Sequence, residues 1–476
     1  TKYFVTIDDP LQVRSHLAEA YYLATHGRNG PVWLEVPLDV QRMEVPGKVI
    51  SSFLPSANSS PELAPLAAKV SALIAGSRRP LLVLGQGIRT AGATAECREL
   101  LQRLGAPVVT TRLGVDLIES SHRLFVGRPG LYGDRASHFA VQTADLILAI
   151  GARLDTGIVG YNQKDWGRHA KKIAVDIDPE ELAKPGTEIF LKINADVKTF
   201  LQEMLTAARC VHQPQRESWA NICAAWKRRY PVALSQYAKE KPVNSYFFSD
   251  RLSAAARASD VVVVDTSSPF HVVCQAWQVK RGQRFLTTGG ISTMGYWPAS
   301  IGACLGNRRR GNTIVVTGDG SLQMNVQELA TLKQNQLPIK VFVINNNGYL
   351  LIRHTQTAHM GGRLMGESPA SGLWCPDALR LAQAYGIRGI RITRPREVDQ
   401  KIRQALAAPG PVICDVKSPQ WQPIVPRISS EKQPDGTLVA KPYEDLFPFL
   451  ERDVLQSELA AGLAAGDRQG PTARER

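Results

Sequence analysis

The chain has 476 residues, of which 44% are hydrophobic and 21% are charged, and it contains 38 glycines. This composition is typical of a large, soluble α/β protein and excludes fibrous and disordered classes. At about 100–200 residues per domain, two or three domains are expected. The net charge of +14 makes nucleic-acid binding a rival hypothesis to small-molecule chemistry.

The residue pattern narrows the classes of partner. The one compact basic run, Arg308-Arg309-Arg310, precedes a predicted buried strand and has no zinc-finger, homeodomain or stacking-aromatic pattern beside it, so we predict no nucleic-acid partner. No apolar run approaches the roughly 20 residues of a membrane span. The seven cysteines are scattered without a C-x-x-C pair, which favours a reducing cytoplasm over disulfides or zinc. Because the chain begins at Thr1, an upstream segment that was removed or left out stays open.

The N-terminal residues 1–45 predict about one helix and one strand. Asp9-Pro10 is typical of a helix start, apolar residues follow at helical spacing to Gly27, and residues 30–37 have the pattern of a short strand. That is too little chain for a domain with its own core. Residues 46–60, rich in proline and serine, are a predicted linker.

Residues 61–210 alternate predicted helices and strands. Apolar runs at 80–85, 106–111, 146–151 and 172–178 have the length of buried parallel strands, which predicts a central doubly wound domain. Gly85-Gln86-Gly87 follows the first of these strands. It lacks the complete G-x-G-x-x-G pattern, so by itself it is a weak indication of a nucleotide.

Residues 240–420 predict a second doubly wound domain, and the whole chain is therefore expected to be an α/β protein built from parallel-sheet domains. Its strands are predicted at 261–264, 313–317, 339–344, 389–392 and 411–416. The apolar residues between Tyr443 and Leu450 of the tail, residues 421–476, are expected to pack on the core or to cover a site as a lid, with a plain surface extension as the alternative. Residues 464–476 are expected to be disordered.

The most informative motif is Gly318-Asp319-Gly320. It follows one predicted strand, and a helical stretch and a second strand lead from it to Asn346 and Gly348. Since the carboxyl ends of parallel strands meet at one edge of a sheet, we expect the Asp319 and Asn346 side chains to lie together. Mg²⁺ prefers oxygen ligands and is often held by one or two protein side chains and phosphate oxygens. The spacing therefore predicts a clamp for a metal ion that carries a diphosphate.

The whole stretch GDGSLQMNVQELATLKQNQLPIKVFVINNNGY, residues 318–349, resembles the thiamine-diphosphate signature and is similar to the acetolactate synthase branch of that enzyme family. The resemblance implies the thiamine-diphosphate-binding fold, with Asp319, the Asn346 side chain and the Gly348 carbonyl as Mg²⁺ ligands. Ser267 and Ser268, at the start of a predicted helix, are expected to face the diphosphate. The complete cofactor-binding set that we predict is Ser267, Ser268, Gly318, Gly320, Ser321, Asn346 and Gly348.

A second segment, residues 287–296, carries the same resemblance. Its glycines permit close approach of the backbone to a ligand, and Met294 is a bulky, adaptable side chain beside them. In the resembled family this methionine props the cofactor in a bent form, and a carbonyl two residues earlier accepts a hydrogen bond from the aminopyrimidine. The resemblance therefore implies catalytic roles for Met294 and the Ser292 carbonyl. It also aligns Arg153 with an arginine that faces the site, which is expected to hold the acceptor's carboxylate.

Residues 1–45 resemble the last helix and strand of the family's pyrimidine-binding domain. The family's activating glutamate precedes this part, so the resemblance implies that it lies outside this chain, that the sequence is a truncation or half of a naturally split protein, and that residues 1–476 alone are inactive. In the same family the central domain binds FAD in several branches and ADP or no nucleotide in others. Residues 128–133 and Thr156-Gly157 depart from the usual flavin-binding pattern, so FAD stays open.

The resemblance implies a thiamine-diphosphate- and Mg²⁺-dependent carboligase that decarboxylates pyruvate and transfers the two-carbon unit to a second carbonyl. A non-oxidative 2-oxo acid decarboxylase of the same fold and a catalytically inactive binding homologue stay open. A homodimer or tetramer with the active site between chains is expected. Thr355 aligns with the family's tryptophan that selects 2-oxobutyrate, so we predict another acceptor, namely pyruvate, another oxo acid or a nucleotide-linked keto-sugar.

Overall fold

The computed structural model describes residues 1–45, 53–55, 62–207, 214–288 and 293–465, and two six-stranded parallel sheets form its framework. The predicted α/β fold is confirmed. The strands are β1 (Tyr3–Thr6), β2 (Val32–Glu35), β3 (Pro80–Leu84), β4 (Val108–Thr110), β5 (Phe125–Gly127), β6 (Leu146–Ile150), β7 (Lys171–Asp176), β8 (Leu191–Asn194), β9 (Val261–Val264), β10 (Arg284–Thr287), β11 (Thr313–Gly318), β12 (Ile339–Asn345), β13 (Arg388–Ile392), β14 (Val412–Lys417), β15 (Ser430–Lys432) and β16 (Leu438–Ala440).

Helices cover both faces of each large sheet, as parallel strands require. They are α1 (Val13–Thr25), α2 (Leu63–Gly76), α3 (Gly87–Thr90), α4 (Thr94–Leu104), α5 (Arg135–Thr143), α6 (Thr156–Val159), α7 (Pro179–Ala183), α8 (Val197–Ala207), α9 (Pro214–Arg229), α10 (Ser245–Ala255), α11 (Ser268–Ala276), α12 (Ala299–Gly306), α13 (Asp319–Gln323), α14 (Glu328–Gln334), α15 (Leu350–His359), α16 (Ala378–Ala384), α17 (Val398–Ala407) and α18 (Arg452–Ala464).

The N-terminal segment is a parallel strand pair, β1 with β2, joined through α1. The Lys2 ammonium donates to the carbonyls of His26 (2.8 Å) and Arg28 (2.9 Å), and Arg28 forms an ion pair with Asp178 (3.1 Å) next to the central sheet. None of the segment's residues belongs to a hydrophobic cluster of the described chain, and Trp33 is 58% exposed. The segment is therefore docked by polar contacts.

The central sheet has the strand order β5-β4-β3-β6-β7-β8, with every neighbouring pair parallel. β3 and β6 are buried at every position, as their continuous apolar runs predict. The strand order reverses between β3 and β6, and such a switch point leaves a crevice beyond the carboxyl ends of the two strands. The short strands β5 and β8 escaped the sequence analysis because runs of three and four residues carry little periodicity.

The second large sheet has the strand order β10-β9-β11-β12-β14-β13, again with parallel neighbours. β9 is a run of four buried valines, and β10 was not predicted from the sequence. β11 and β12 pair in register up to Gly318 opposite Ile344. The residues that follow these strands, Asp319 and Asn346, therefore emerge side by side.

The C-terminal tail crosses back to the central sheet. Tyr443 and Leu446 are buried in the hydrophobic cluster that α5 and α9 share, and the Tyr443 hydroxyl donates to the Ile158 carbonyl (2.6 Å). α18 packs along α5 and contacts α9, where the ring nitrogen of Trp226 donates a hydrogen bond to Glu458 (2.8 Å). Of the arrangements expected for the tail, the structure shows packing on the core, through buried residues such as Tyr443 and Leu446. Nearly all of residues 464–476, expected to be disordered, lie outside the described residues, which end at 465.

Candidate active site

Asp319 is the first residue of α13, at the carboxyl end of β11, and only 4% of its surface is exposed. One carboxylate oxygen accepts from the Gly320 N–H (2.9 Å), and the other accepts from the Gly348 N–H (3.0 Å). Burial raises the pKa of Asp319 to about 6, because a charge at that depth has lost most of its water. A bound cation is the partner that would keep this carboxylate ionised.

Asn346 follows β12, the neighbouring strand, and is also 4% exposed. Its amide nitrogen lies 3.5 Å from the Ser268 hydroxyl, whereas its Oδ1 atom is buried without a hydrogen-bond partner. Buried polar atoms are nearly always paired, so an orphaned oxygen of this kind indicates a ligand, an ion or a water. With the Asp319 carboxylate it forms a pair of oxygen donors of the type that Mg²⁺ prefers.

The glycines of the two motifs are required by close contacts. Gly348 has φ +130°, and a Cβ on it would lie 1.9 Å from the Glu367 carbonyl oxygen. A Cβ on Gly320 would lie 2.1 Å from the Tyr349 ring. The backbone therefore packs too tightly for any side chain at these two positions. We call the segment from Asn346 to Gly348 the predicted metal loop.

A buried ion pair that the sequence analysis missed holds this loop. Arg353 on α15 and Glu367 are 1% and 3% exposed, and the guanidinium donates to the Glu367 carboxylate and to the Asn347 carbonyl (3.3 Å). Although burial opposes it, hydrogen bonds from Ser368 and Arg353 hold the pKa of Glu367 below its usual range. No periodicity or motif connects these partners in the sequence, so only their spatial proximity identifies them.

Asp265, Ser267 and Ser268 lie at the carboxyl end of β9, as predicted. Asp265 is fully buried and accepts from the Thr266 N–H (2.8 Å), the Tyr296 N–H (3.0 Å) and the Thr317 hydroxyl (2.9 Å), so it connects the ends of β9 and β11. Ser267 has φ +69° and precedes α11, while Ser268 is the first residue of that helix and lies beside Asn346. Both serines are therefore at the helix start that the sequence predicted.

Met294 is half-buried, and a hydrogen bond to the next residue, Gly295, holds the backbone beside it. Gly295 has φ +84°, and its carbonyl accepts from the Asn325 side chain (2.7 Å), which follows the helix that Asp319 begins. The position of Met294 is thus coupled to the metal loop. Ser292 lies outside the described residues, and Ser321 is buried in α13.

These residues fit a metal–diphosphate group. The donors are a carboxylate and an orphaned amide oxygen, and a helix start lies beside them. Among the described residues there is no cluster of three or more His, Cys, Asp or Glu side chains that would hold a metal in another way.

Comparison with known proteins identifies the family. The description "Thiamine pyrophosphate enzyme, C-terminal TPP binding domain" matches residues 265–416, and its central-domain counterpart matches residues 67–204. The acetolactate synthase large subunit of Cyanidium caldarium is 32% identical over 431 residues, which cover 87% of this chain and 71% of that protein. The same subunit of Parasynechococcus marenigrum is 31% identical, with 91% and 70% covered. The chain belongs to the thiamine-diphosphate enzyme family.

Membership confirms the predicted family, enzyme class and carboligase branch, as well as the dependence on thiamine diphosphate. A probable acetolactate synthase large subunit of Methanocaldococcus jannaschii is similar as well, at 29% identity over 435 residues. The chain covers 71% of the length of the Methanocaldococcus jannaschii protein, as it does for the Cyanidium caldarium subunit. No helix in the described part of the chain is long and apolar enough to cross a membrane.

A cavity of about 650 Å³ lies at the switch point between β3 and β6 of this thiamine-diphosphate enzyme, and the N-terminal segment and the C-terminal domain also contribute to its lining. Its volume is within the roughly 300–1,000 Å³ of ordinary cofactor pockets. Gln86, Asp155 and Asp176 line it, and the first two each have a buried oxygen without a hydrogen-bond partner. Gly85 and Gly87 do not make room for a ligand, since Cβ atoms there would lie 2.0 Å and 2.7 Å from atoms of Gly151. These glycines permit the close crossing of two strand ends.

Arg153 lines the same cavity, with φ +60° and a side chain that is 52% exposed. Its guanidinium donates to Glu181 (3.0 Å). Thr355, the other residue from which acceptor choice was predicted, lies on the exposed face of α15.

Proposed function

We propose that this protein uses thiamine diphosphate and Mg²⁺ to decarboxylate pyruvate and to join the resulting two-carbon unit to a second carbonyl compound. The observation that carries this proposal is the pair of Asp319 and Asn346 on neighbouring strand ends, a buried carboxylate beside an amide oxygen without a partner. When bound, thiamine diphosphate supplies the electron sink for decarboxylation and carbon–carbon bond formation.

The role of the chain's own residues is to bind the metal ion and the cofactor and to orient them. Asp319 supplies the negative charge for the metal, and Asn346 and the Gly348 carbonyl supply neutral oxygens, so the site balances a dication against a diphosphate. Ser267 and Ser268, at the start of α11, add hydroxyl and amide donors for phosphate oxygens. Met294 would present its apolar side chain to the rings of the bound cofactor, and Arg353 keeps the loop at Asn347 in place.

The direct test is Asp319→Ala, which removes the charge but leaves the two strands intact. We expect Mg²⁺-dependent thiamine-diphosphate binding to disappear in calorimetric titrations while the circular dichroism spectrum is retained. Arg396→Gln, which changes an exposed residue away from the site, is the matched control and should titrate like the wild type. Unchanged cofactor affinity in Asp319→Ala would refute the assignment of the site.

Products separate the proposed carboligase from its two alternatives. In a preparation that carries the expected activating glutamate, pyruvate turnover that gives acetolactate supports the carboligase, free acetaldehyde supports the decarboxylase, and cofactor binding without turnover supports an inactive homologue. We also propose that 2-oxobutyrate is not the preferred acceptor, because Thr355 is a small polar residue on an exposed helix face. With equal pyruvate and 2-oxobutyrate, acetolactate should form at least as readily as acetohydroxybutyrate.

We further propose that the central cavity holds the adenine-nucleotide portion shared by FAD and ADP. The unpaired oxygens of Gln86 and Asp155 and the position at the switch point support this proposal. Release of the ligand from purified protein, followed by chromatography and an absorbance spectrum, distinguishes a flavin from ADP and from an empty cavity.

A cytoplasmic location and a homodimer or tetramer with the active site between chains remain our proposals. All six described cysteines are unpaired, which supports a reducing compartment. Exposed apolar side chains on the N-terminal segment, Trp33 among them, support an association that covers them. Light scattering of the purified protein tests the oligomeric state.

A further inference from the structure

The cavity at the switch point is lined by three arginines, and two of them are already held by acidic side chains. Arg28 and Arg153 both contact the acidic residues that follow β7. The third, Arg112, follows β4, and none of the described carboxylates forms an ion pair with it. Its guanidinium carbon lies 5.4 Å from the centre of the Phe270 ring, which belongs to the C-terminal domain.

The residue that faces this guanidinium is Gly157, in α6. A Cβ on Gly157 would lie 1.5 Å from an Arg112 nitrogen and 2.8 Å from the guanidinium carbon. The backbone of α6 is helical and does not itself require glycine, so the glycine at this position is explained by the space that Arg112 occupies. Helix α6, which forms this wall of the cavity, is held in place by two hydrogen bonds. The Gly157 carbonyl accepts from the Leu131 N–H (3.1 Å), and the Ile158 carbonyl accepts from the Tyr443 hydroxyl of the tail (2.6 Å).

Arg112 lies on the side of the cavity that meets the diphosphate-binding sheet. Phe270 and Thr288 of the C-terminal domain line the cavity together with Arg112. Phe270 is on α11, whose first residue, Ser268, is the one that lies 3.5 Å from Asn346. The guanidinium is therefore close in the fold to the elements that hold the cofactor, in contrast to the acid-paired Arg153.

Two titratable side chains, His271 and Asp155, lie next to Arg112. Burial, together with the charge of Arg112, lowers the pKa of His271 to about 3, so this neighbour is neutral. Asp155 is the acidic group that faces Arg112 from the α6 wall, with one oxygen 2.8 Å from the Cβ position on Gly157. Asp155 Oδ1 itself has no hydrogen-bond partner, so the five N–H donors of the guanidinium are enough to bind the carboxylate of a ligand as well.

We propose that Arg112, and not Arg153, binds the carboxylate of the 2-oxo acid acceptor and so selects acidic over neutral carbonyl acceptors. The proposal rests on the proposed carboligase function. A planar guanidinium binds a carboxylate through two parallel hydrogen bonds, and its contact with the Phe270 ring keeps that plane oriented. Gly157 is then a specificity element as well, since any side chain there displaces the guanidinium.

The test uses a preparation that carries the expected activating glutamate and compares two acceptors for the same two-carbon unit, pyruvate with its carboxylate and acetaldehyde without one. In Arg112→Gln we expect kcat/KM for pyruvate as acceptor to fall about 10–100-fold, the effect of losing a hydrogen bond to a charged group. Acetoin formation from acetaldehyde should be unchanged, and Arg112→Lys should recover part of the loss. Arg396→Gln, an exposed charge-matched control, should behave like the wild type.

Equal losses for pyruvate and acetaldehyde in Arg112→Gln would overturn the proposal, as would a selective loss in Arg153→Gln but not in Arg112→Gln. A binding measurement gives a second readout. Calorimetric titration with pyruvate in the absence of thiamine diphosphate should show an affinity about 10–100-fold weaker in Arg112→Gln. If a wild-type preparation that carries the expected activating glutamate forms no ligation product, the proposed function fails, and this titration still decides whether Arg112 binds the carboxylate.

The phosphate of a nucleotide bound in this cavity is the other anion that Arg112 could contact. The nucleotide content of purified Arg112→Gln should therefore equal that of the wild type. Loss of bound nucleotide with unchanged acceptor kinetics would assign Arg112 to the nucleotide and overturn the proposal.

Discussion

At the scale of single residues, the metal loop depends on positions where only glycine fits. We predict that Gly348→Ala abolishes Mg²⁺-dependent cofactor binding and destabilises the fold, because its φ is +130° and the new Cβ meets the Glu367 carbonyl at 1.9 Å. A strained backbone position costs of order 1–3 kcal/mol before the clash is counted. Denaturant unfolding and Mg²⁺ titration measure the two effects. Gly302→Ala, a helical glycine with open space around it, is the control and should bind normally.

His271 predicts how stability depends on pH. Its pKa in the folded protein is about 3, against 6.5 for an exposed histidine. Below pH 6.5 the unfolded chain therefore takes up a proton that the folded protein refuses, and stability falls by about 1.4 kcal/mol per pH unit until the folded pKa is reached. The effect disappears as the pH rises well above 6.5, where both states are neutral.

Unfolding free energies measured across this pH range should show a shallower slope in His271→Gln than in the wild type. His359→Gln, at an exposed position on α15, should retain the wild-type slope. Identical slopes in the wild type and His271→Gln would mean that the ring is hydrated and free to charge.

At the scale of elements, α15 and the loop before it are joined by the buried pair of Arg353 and Glu367. We predict that Arg353→Ala lowers the free energy of unfolding by about 3–5 kcal/mol, because it leaves a buried carboxylate without its partner. The exposed pair of Arg251 and Asp399, with both side chains 41% exposed, is the comparison. Arg251→Ala should cost no more than about 1 kcal/mol.

The same substitution should weaken Mg²⁺-dependent cofactor binding, since Arg353 also donates to the Asn347 carbonyl in the metal loop. Chemical denaturation and calorimetry on the two variants provide the measurements. A loss in Arg353→Ala no larger than that in Arg251→Ala would show that water replaces the missing guanidinium.

At the scale of the whole molecule, the two proposed ligand sites belong to different sheets. The proposed metal–diphosphate site is at the carboxyl edge of β11 and β12, and the cavity proposed for a nucleotide is at the switch between β3 and β6. We predict that ADP or FAD raises the thermal unfolding temperature, because a ligand that binds only the folded state at 100 times its Kd adds about 2.7 kcal/mol.

Asp319→Ala should abolish the thermal shift caused by thiamine diphosphate with Mg²⁺ and leave the nucleotide shift in place, since the two sites share no described side chain. Differential scanning fluorimetry with each ligand separately measures both shifts. A nucleotide shift that vanished together with the cofactor shift would indicate that one site had been mistaken for two.

The sequence by itself determined the parts of this protein that depend on local pattern. Buried parallel strands are continuous apolar runs, and the chain must turn at their carboxyl ends, so the position of Asp319 after one strand and Asn346 after the next was enough to place them at one sheet edge. The glycines beside them followed from the turns. The helix start at Ser268 was predictable for the same reason, since it follows a run of valines.

Only the tertiary structure decided which distant residues meet. Arg112 and Gly157 are far apart in sequence and carry no shared periodicity, yet the size of one fixes the identity of the other. The contact between the tail's Tyr443 and the α6 wall was equally invisible, because an apolar stretch shows that it will be buried and not against which surface. Hydrophobic burial is non-directional, whereas the contacts that shape a site are set by how the elements pack.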